Sequence, residues 1–392
     1  MSRRVLIVHW DGSAYDSLRG LLRLAGAELE RQGFAIVELA YGAPGWDREL
    51  TGILAEGDLV FAMGMSGVGS DILTADKALV WEAAKVPFFD WNCDHPCYYP
   101  SRHQLRSRFL LHGYVFPDHA RYSLRHFNAN GASFAVHIGL PPADLFLVPA
   151  EGRNGRILFT KSGADIAPIE ARWRAAPAPL AALLPRAAEA LFHRPTTDFL
   201  PILNQVAADQ GIVLDGNGEL AMTLIRELDA YIRFKRANMV MAVALDYPVD
   251  VFGNGWDHIG RAGMRAQLAG PVGWEQTLGM LPRYTACLSV NPLIDESVHD
   301  RVFFALAAGV TPVSDANAFW RARLPALAPY GFGFSADQIR AAIEAVLSDP
   351  VAAAERTAQA RDALGEAFTL RYAVRQIMAF VSLHGMNARC AP

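Results

Sequence analysis

Residues able to do chemistry concentrate between positions 285 and 320, where a short apolar run ends in a polar turn. Ser297 is followed three residues later by Asp300, a capping-box pattern that predicts a helix starting at residue 298. Glu296 would then lie just outside a helix N-terminus, where free amide groups favour an anionic partner. The stretch is typical of a strand, a ligand-facing turn and a crossover helix in an α/β domain.

A second candidate, Asp94-His95-Pro96, follows an apolar run in the first third of the chain. A carboxylate beside an imidazole suits a general base that removes a proton from an acceptor hydroxyl. The same residues also suit a turn in which Asp94 accepts backbone amides before a proline. The residues alone leave both interpretations open.

Basic side chains form a third group that could neutralise phosphoryl charge. Lys161 follows the predicted strand 156–160, where ligands of α/β proteins bind. Four more basic side chains share the predicted helix 220–245: Arg226, Arg233, Lys235 and Arg236. A charged helix face is usually only solvated, and the sequence favours this interpretation for these four.

Two glycine-rich turns follow predicted strands. The first, 64–69, has the pattern G-x-x-G-x-G, which is not the dinucleotide-binding spacing, so tight turns with positive φ are the favoured interpretation. The second is Gly253-Asn254-Gly255, and its place after the predicted strand 249–252 makes it a candidate for close approach to a ligand.

Short apolar runs alternate with helical patterns along the chain, which predicts parallel sheets covered on both faces. In the first third the predicted strands are 5–8, 35–40, 59–63, 86–89, 113–116 and 134–136. The polar connection 149–155 is the predicted linker. The fold class is therefore α/β, with one Rossmann-like domain over 1–150, a second over 151–370, and a C-terminal helix, 371–392, that packs back on the first.

Composition excludes several classes of protein. The chain has 392 residues, 52% of them hydrophobic and 19% charged, with a net charge of −4 and no basic run, so no nucleic-acid partner is expected. The four cysteines form no C-x-x-C pair and favour a reducing, cytoplasmic setting. No signal peptide and no apolar run long enough to span a bilayer are predicted, although peripheral membrane contact stays compatible with the sequence.

Motifs of several enzyme classes are absent from the sequence. It contains no Asp-x-Asp pair, no H-E-x-x-H and no G-x-S-x-G. We therefore expect neither a metal nor another cofactor, and no serine hydrolase.

Three segments resemble the two-domain GT-B glycosyltransferases, particularly the bacterial branch of group 1 transferases that is similar to the spore-coat protein CgeB. Residues 248–256, P-V-D-V-F-G-N-G-W, resemble that branch's strand and Gly-x-Gly-Trp element. Residues 288–291 together with 299–309, H-D-R-V-F-F-A-L-A-A-G, resemble its second signature. The helical stretch 231–245 has the spacing of basic and apolar residues found in the family.

This resemblance implies two Rossmann-like domains facing a cleft. The second domain would bind a nucleotide sugar and the first would bind the acceptor, which is a glycan, a lipid-linked molecule or a protein. The reaction would need no metal. The implied catalytic residues are Asp94 or His95 as base or acceptor contact and Glu296 facing the transferred sugar. The implied donor-binding residues are Lys161, Gly253, Asn254, Gly255, Asn291, His299, Asp300 and Arg301.

The chain departs from the family at one position. The family carries a second acidic residue on this helix that holds the ribose, and Phe304 stands in its place. Phe304 would then pack against a base or fill the core, and the stereochemical outcome stays open. Two alternatives remain at this point: an epimerase with the same fold that acts on a nucleotide sugar, and a non-catalytic protein that binds one.

Overall fold

The computed structural model describes residues 3–12, 14–127, 133–146, 152–208, 211, 213–215 and 218–390. The chain forms two compact units. The first comprises Met1–Gly139 with Glu366–Pro392, and the second is Leu140–Gly365. The predicted boundary between residues 150 and 151 lies outside the described residues. The chain passes back to the first unit at Glu366, shortly before the predicted boundary at 371.

The first unit is built on a six-stranded sheet in the order β2-β1-β3-β4-β5-β6, with every described pairing parallel. Its strands are β1 (Arg3–His9), β2 (Phe34–Ala40), β3 (Leu59–Met65), β4 (Phe88–Asn92), β5 (Leu110–Tyr114) and β6 (Ser133–Ala135). Its first helices are α1 (Ser17–Arg31), α2 (Trp46–Ala55), α3 (Val80–Ala84), α4 (Pro100–His103) and α5 (Pro117–His126). The strands are mainly apolar because helices cover both faces of a parallel sheet.

Two strands of this sheet lie away from their predicted positions. Strand β4 starts after Pro87, which has no amide proton to give to a ladder. Strand β5 starts three residues earlier than predicted, so that His112 lies inside the sheet opposite Asp90. Both side chains are fully buried.

The second unit contains another six-stranded parallel sheet, in the order β12-β11-β10-β7-β8-β9. Its strands are β7 (Ile157–Thr160), β8 (Val249–Phe252), β9 (Gln267–Ala269), β10 (Ala286–Leu288), β11 (Thr311–Asp315) and β12 (Gly331–Phe332). Its helices are α6 (Ala167–Ala175), α7 (Ala178–Phe192), α8 (Leu200–Ala207), α9 (Glu219–Ala244), α10 (Trp274–Met280), α11 (Asp300–Ala307), α12 (Ala318–Arg323), α13 (Ala336–Ser348) and α14 (Pro350–Leu364).

The last helix, α15 (Leu370–Cys390), belongs to the first unit. The rings of Phe134 and Phe380 stack there with centroids 3.9 Å apart. Helix α15 is separate from α14, and it begins one residue before the predicted C-terminal helix 371–392. Gly365, with a φ of 65°, ends α14 because glycine adopts this left-handed backbone without strain. No helix in the described part of the chain is long and apolar enough to cross a membrane.

Candidate functional site

Three adjacent parallel strands of the second unit bring most of the predicted donor-binding residues to one edge of the sheet. Strand β7 lies between β10 and β8. Lys161 directly follows β7 and Gly253 directly follows β8, while the turn that contains Asn291 follows β10. This edge is where ligands bind in open α/β sheets.

The loops after β7 and β8 interlock. The amide of Gly163 donates to the carbonyl of Asn254 (2.9 Å), and the indole Nε1 of Trp256 donates to the carbonyl of Lys161 (2.9 Å). A Cβ atom on Gly253 would lie 2.2 Å from the Lys161 carbonyl oxygen, and one on Gly255 would lie 2.2 Å from that of Gly163. The two glycines are therefore required by loop packing and fix the backbone of Lys161. Asn254 is exposed.

Asn291 uses its whole side chain within the protein. Its Oδ1 accepts the amide of His299 (2.7 Å), and its Nδ2 donates to Ser314 Oγ and to the carbonyl of Asp315 (both 3.2 Å). Its own amide donates to Asp315 Oδ1 (2.7 Å). Asn291 is also 1% exposed, so it positions the start of α11 and offers no group to a ligand.

The predicted start of this helix is wrong. Helix α11 begins at Asp300, and its N-cap is His299. The amide of Arg301 donates to Asp300 Oδ1 (2.9 Å) and to His299 Nδ1 (3.3 Å). Ser297 is fully buried, and its carbonyl accepts a hydrogen bond from an asparagine side chain that follows β11. Glu296 is exposed and lies in the turn, separated from the helix by three residues.

The helix start carries two titratable side chains that touch one another, His299 and Asp300. Burial lowers the pKa of His299 to about 4, so its imidazole is neutral at pH 7. Burial opposes ionisation of Asp300, but His299 and Arg301 outweigh it and lower the pKa of Asp300 to about 2. Asp300 therefore carries a negative charge beside Arg301.

Three cationic side chains meet at this edge of the sheet. Burial holds the pKa of Lys161 well below its usual range, and the charges of Arg233 and Arg301 lower it further, while Asp229 opposes them. Burial also lowers the pKa of Arg301, with Asp300 acting in the opposite direction. Arg301 Nη1 is buried and has no hydrogen-bond partner among the described residues. The cluster thus has an excess of like charge and an unused donor group.

The prediction that the basic face of α9 is only solvated is wrong for three of its four side chains. Arg236 is 2% exposed and donates to the carbonyl of Phe192 through Nε (3.0 Å), and the ammonium of Lys235 lies 5.1 Å from the Phe192 ring centre. Arg233 acts electrostatically on Lys161. Only Arg226 is exposed. Asp229 lies four residues before Arg233 on the same helix face, and the two side chains are 3.4 Å apart. This spacing is the sequence signal that could have identified Arg233 as an ion-paired side chain.

Phe304 fills the core of the second unit. It is 3% exposed, and its ring meets those of Trp274 and Phe146 edge to face, with centroids 5.1 and 6.2 Å apart. Of the two roles considered for Phe304, the structure shows core packing. No carboxylate stands at this position to hold a ribose.

In the first unit, His95 and Asp94 have different environments. His95 is 5% exposed, and its Nδ1 accepts the amide of Cys97 (3.0 Å) at the start of a short 3-10 helix. Its ring packs against Tyr122, with centroids 4.6 Å apart. Asp94 is half-buried, and its Oδ2 lies 3.5 Å from Ser66 Oγ. His95 thus acts as a cap, and Asp94 is the more accessible of the pair.

The glycine-rich turn after β3 is a tight turn with positive φ, as its spacing favoured. Ser66, Gly67 and Gly69 have φ values of 50°, 81° and 85°. Asp90 holds the turn by accepting the Gly67 amide (2.7 Å) and lies 3.4 Å from His112 Nδ1. The sequence did not single out this buried pair, although a carboxylate inside an apolar strand was a visible signal.

Part of the second unit matches a known protein family. Residues 235–379, which run from α9 into α15, match a family described as glycosyl transferase-like. This match does not separate the branch similar to CgeB from its relatives, so that branch stays a prediction. No curated protein sequence matches the chain.

Solved structures share the fold at low sequence identity. Sucrose-phosphate synthase from Thermosynechococcus elongatus is similar with a TM-score of 0.58 and 10% identity, over 97% of this chain and 98% of that chain. HepE from Anabaena, solved in complex with UDP-glucose, gives a TM-score of 0.55 and 10% identity, over 97% of this chain and 99% of that chain. HepE in complex with UDP and glucose gives 0.51 and 10%, over 97% and 100%. At this identity the likeness concerns the fold.

Proposed function

Because this chain is a glycosyltransferase with the GT-B fold of two Rossmann-like domains, we propose that its donor is a nucleoside diphosphate sugar whose diphosphate binds Lys161, Arg233 and Arg301. The observation that supports this most is the buried Nη1 of Arg301, which has no partner among the described residues. A buried donor group left unpaired costs about 1–3 kcal/mol, and a phosphoryl oxygen would satisfy it.

The same cluster suits the reaction as well as binding. Glycosyl transfer leaves negative charge on the departing diphosphate, and cations fixed in place before the reaction stabilise that charge without reorganising. Asp300 and Asn291 hold Arg301 and the start of α11 in position. We therefore propose that Lys161, Arg233 and Arg301 supply the charge stabilisation that a metal supplies in other transferases, and that the reaction is independent of metal.

Two further predicted residues, Glu296 and Asp94, would contact the transferred sugar and the acceptor. Glu296, exposed in the turn before α11, would contact the transferred sugar. Asp94 would accept the proton of an acceptor hydroxyl, with the nearby Ser66 hydroxyl orienting its carboxylate. The acceptor is a glycan, a lipid-linked molecule or a protein.

Cys93, Cys97 and Cys287 are thiols, which supports a reducing, cytoplasmic setting.

Binding of a panel of nucleotides tests the donor class directly. We expect the diphosphates of uridine, guanosine, adenosine, thymidine or cytidine to raise the melting temperature of the chain, with one base preferred and with nucleosides inactive. Nucleotide sugars of that base should be cleaved slowly by water, and a chelator such as EDTA should not change the rate. If no diphosphate binds and no nucleotide sugar is cleaved, the proposal is wrong; if EDTA abolishes cleavage, its metal-independent part is wrong.

A further inference from the structure

Trp10 is a large aromatic side chain on the surface of the first unit. It directly follows β1, at the edge of the sheet formed by the carboxyl ends of the strands, and 53% of it is exposed. A single exposed apolar residue needs no explanation by itself. The way this ring is held, and the polar groups beside it, distinguish it from an ordinary surface residue.

The Trp10 ring is fixed against two glycines. A Cβ atom on Gly12 would lie 2.5, 2.7 and 2.9 Å from Cζ2, Cε2 and Cη2 of the indole. These near-equal distances mean that the Gly12 backbone meets the face of the ring and not its edge. A Cβ on Gly42 would lie 3.9 Å from Cδ1 at the other end of the ring. One face of the indole is therefore backed by the main chain at Gly12, while 53% of the side chain stays exposed.

The residue that follows Trp10 belongs to a group of paired charges. Asp11 is 58% exposed, and its Oδ1 lies 3.3 Å from Nη1 of Arg19 and 3.1 Å from Nδ1 of the buried His9. Arg19 also lies 4.0 Å from the carboxylate of Glu38. Nε of Arg19 is buried and has no hydrogen-bond partner among the described residues. The edge thus combines a fixed aromatic face with an accessible carboxylate and a guanidinium that has an unused donor.

We propose that Trp10, Asp11 and Arg19 form a saccharide subsite that binds a pyranose ring of the acceptor. The inference rests on the proposed glycosyl transfer to a hydroxyl acceptor and names a sugar as the bearer of that hydroxyl. A pyranose has a patch of C–H groups on its face, which an aromatic ring removes from water. Its hydroxyl groups lie around the rim, where a carboxylate and a guanidinium form charge-assisted hydrogen bonds to them.

A lipid surface suits this edge less well than a sugar. Membrane attachment by exposed aromatic residues depends on neighbouring positive charge that attracts anionic lipids. Here Arg19 and Arg23 are matched by Asp11 and Glu38, and the pairs lie within 4.0 Å. The charges cancel, which favours a neutral, hydroxyl-rich ligand.

Saturation-transfer-difference NMR on the full chain tests this subsite, with methyl glycosides of glucose, galactose, mannose and N-acetylglucosamine as probes. We expect contacts from the ring C–H protons of at least one glycoside. Trp10→Ala should weaken its binding about 10-fold, Trp10→Phe should largely retain it, and Val351→Ala, an exposed position on α14, should leave it unchanged. Gly12→Ala should resemble Trp10→Ala, because the added methyl group displaces the ring without removing it.

Two further measurements separate this inference from the donor proposal. Cleavage of the nucleotide sugar by water should be the same in Trp10→Ala and the native chain, whereas transfer to the preferred glycoside should show a raised KM. The subsite is overturned if no glycoside contacts the native chain, or if Trp10→Ala leaves the contacts intact. It is equally overturned if Trp10→Ala abolishes sedimentation with phosphatidylcholine–phosphatidylserine vesicles while the native chain binds no glycoside. Failure of the donor proposal would appear instead as absent nucleotide binding, with the glycoside contacts unaffected.

Discussion

Arg301 and Lys161 determine the properties of the donor site at the scale of single residues. Both are partly buried, and burial and the charge of Arg301 lower the pKa of Lys161. Such repulsion is unfavourable in the empty protein, and a bound anion offsets it by attracting both charges. These side chains are incompletely neutralised before the ligand binds, so their neutralisation by the anion contributes to the free energy of binding.

The lowered pKa of Lys161 predicts that binding of a nucleoside diphosphate takes up protons. The anion favours the charged ammonium, so affinity should fall as pH rises above the pKa of Lys161 in the empty protein. Phosphate groups have a second pKa of about 6, so their charge is nearly constant between pH 7 and 9. Calorimetric titration over this range should show affinity falling by up to about 10-fold per pH unit. In Lys161→Arg, which stays charged, the fall should be much smaller.

The control for this prediction is the buffer. Titrations at pH 8 in HEPES and in Tris, whose ionisation enthalpies differ and which carry no phosphate, should give different apparent binding enthalpies for the native chain and nearly equal ones for Lys161→Arg. An identical pH dependence in the two proteins would show that Lys161 does not respond to the diphosphate.

At the scale of elements, the start of α11 is set by hydrogen bonds from neighbouring strand ends. Asn291 after β10 holds the His299 amide, and Asp315 at the end of β11 holds the Asn291 amide. These bonds fix where the helix begins and hence where the Arg301 side chain leaves it. The loops after β7 and β8 do the same for Lys161 through the packing of Gly253 and Gly255.

Asn291→Ala should therefore lower both stability and donor binding. It leaves the partly buried His299 amide without its acceptor, and the loss of such a bond costs about 1–3 kcal/mol. Urea unfolding should show a loss in this range, with the affinity for nucleoside diphosphate reduced as well. Asn254→Ala, at an exposed asparagine of the neighbouring loop, should change the free energy of unfolding by less than about 0.5 kcal/mol. Equal effects of the two substitutions would contradict the positioning role of Asn291.

At the scale of the whole molecule, the alternation of apolar runs and helical patterns was sufficient to predict two α/β units with parallel sheets. That pattern is local, because each strand can be predicted from the hydrophobic pattern of its own residues. The start of α11 was predicted wrongly because the capping box is a local signal, whereas the Asn291 bond to His299 depends on β10 and β11 both being in place. The spacing of Asp229 and Arg233 marks an ion pair on α9, but the approach of Arg233 to Lys161 depends on how α9 packs on the sheet, which no local pattern predicts.

Site residues that directly follow strands could be identified from the sequence. Lys161 and the 253–255 turn directly follow strands, so the edge of the sheet on which they lie follows from topology alone. Trp10 also follows a strand, but its importance depends on contact with Gly12, which no periodicity reveals. The family resemblance located α11, and the structure then showed Phe304 in the core.

If Arg301 binds the diphosphate of the donor, the substitution Arg301→Gln should raise the dissociation constant of the preferred nucleoside diphosphate. Arg226→Gln is the control, since Arg226 is the exposed arginine of α9. A hydrogen bond to a charged group contributes about 1.5–3 kcal/mol, so Arg301→Gln should weaken binding by about 10- to 150-fold while Arg226→Gln leaves it unchanged. Equal dissociation constants for Arg301→Gln and the native chain would show that Arg301 does not bind the diphosphate.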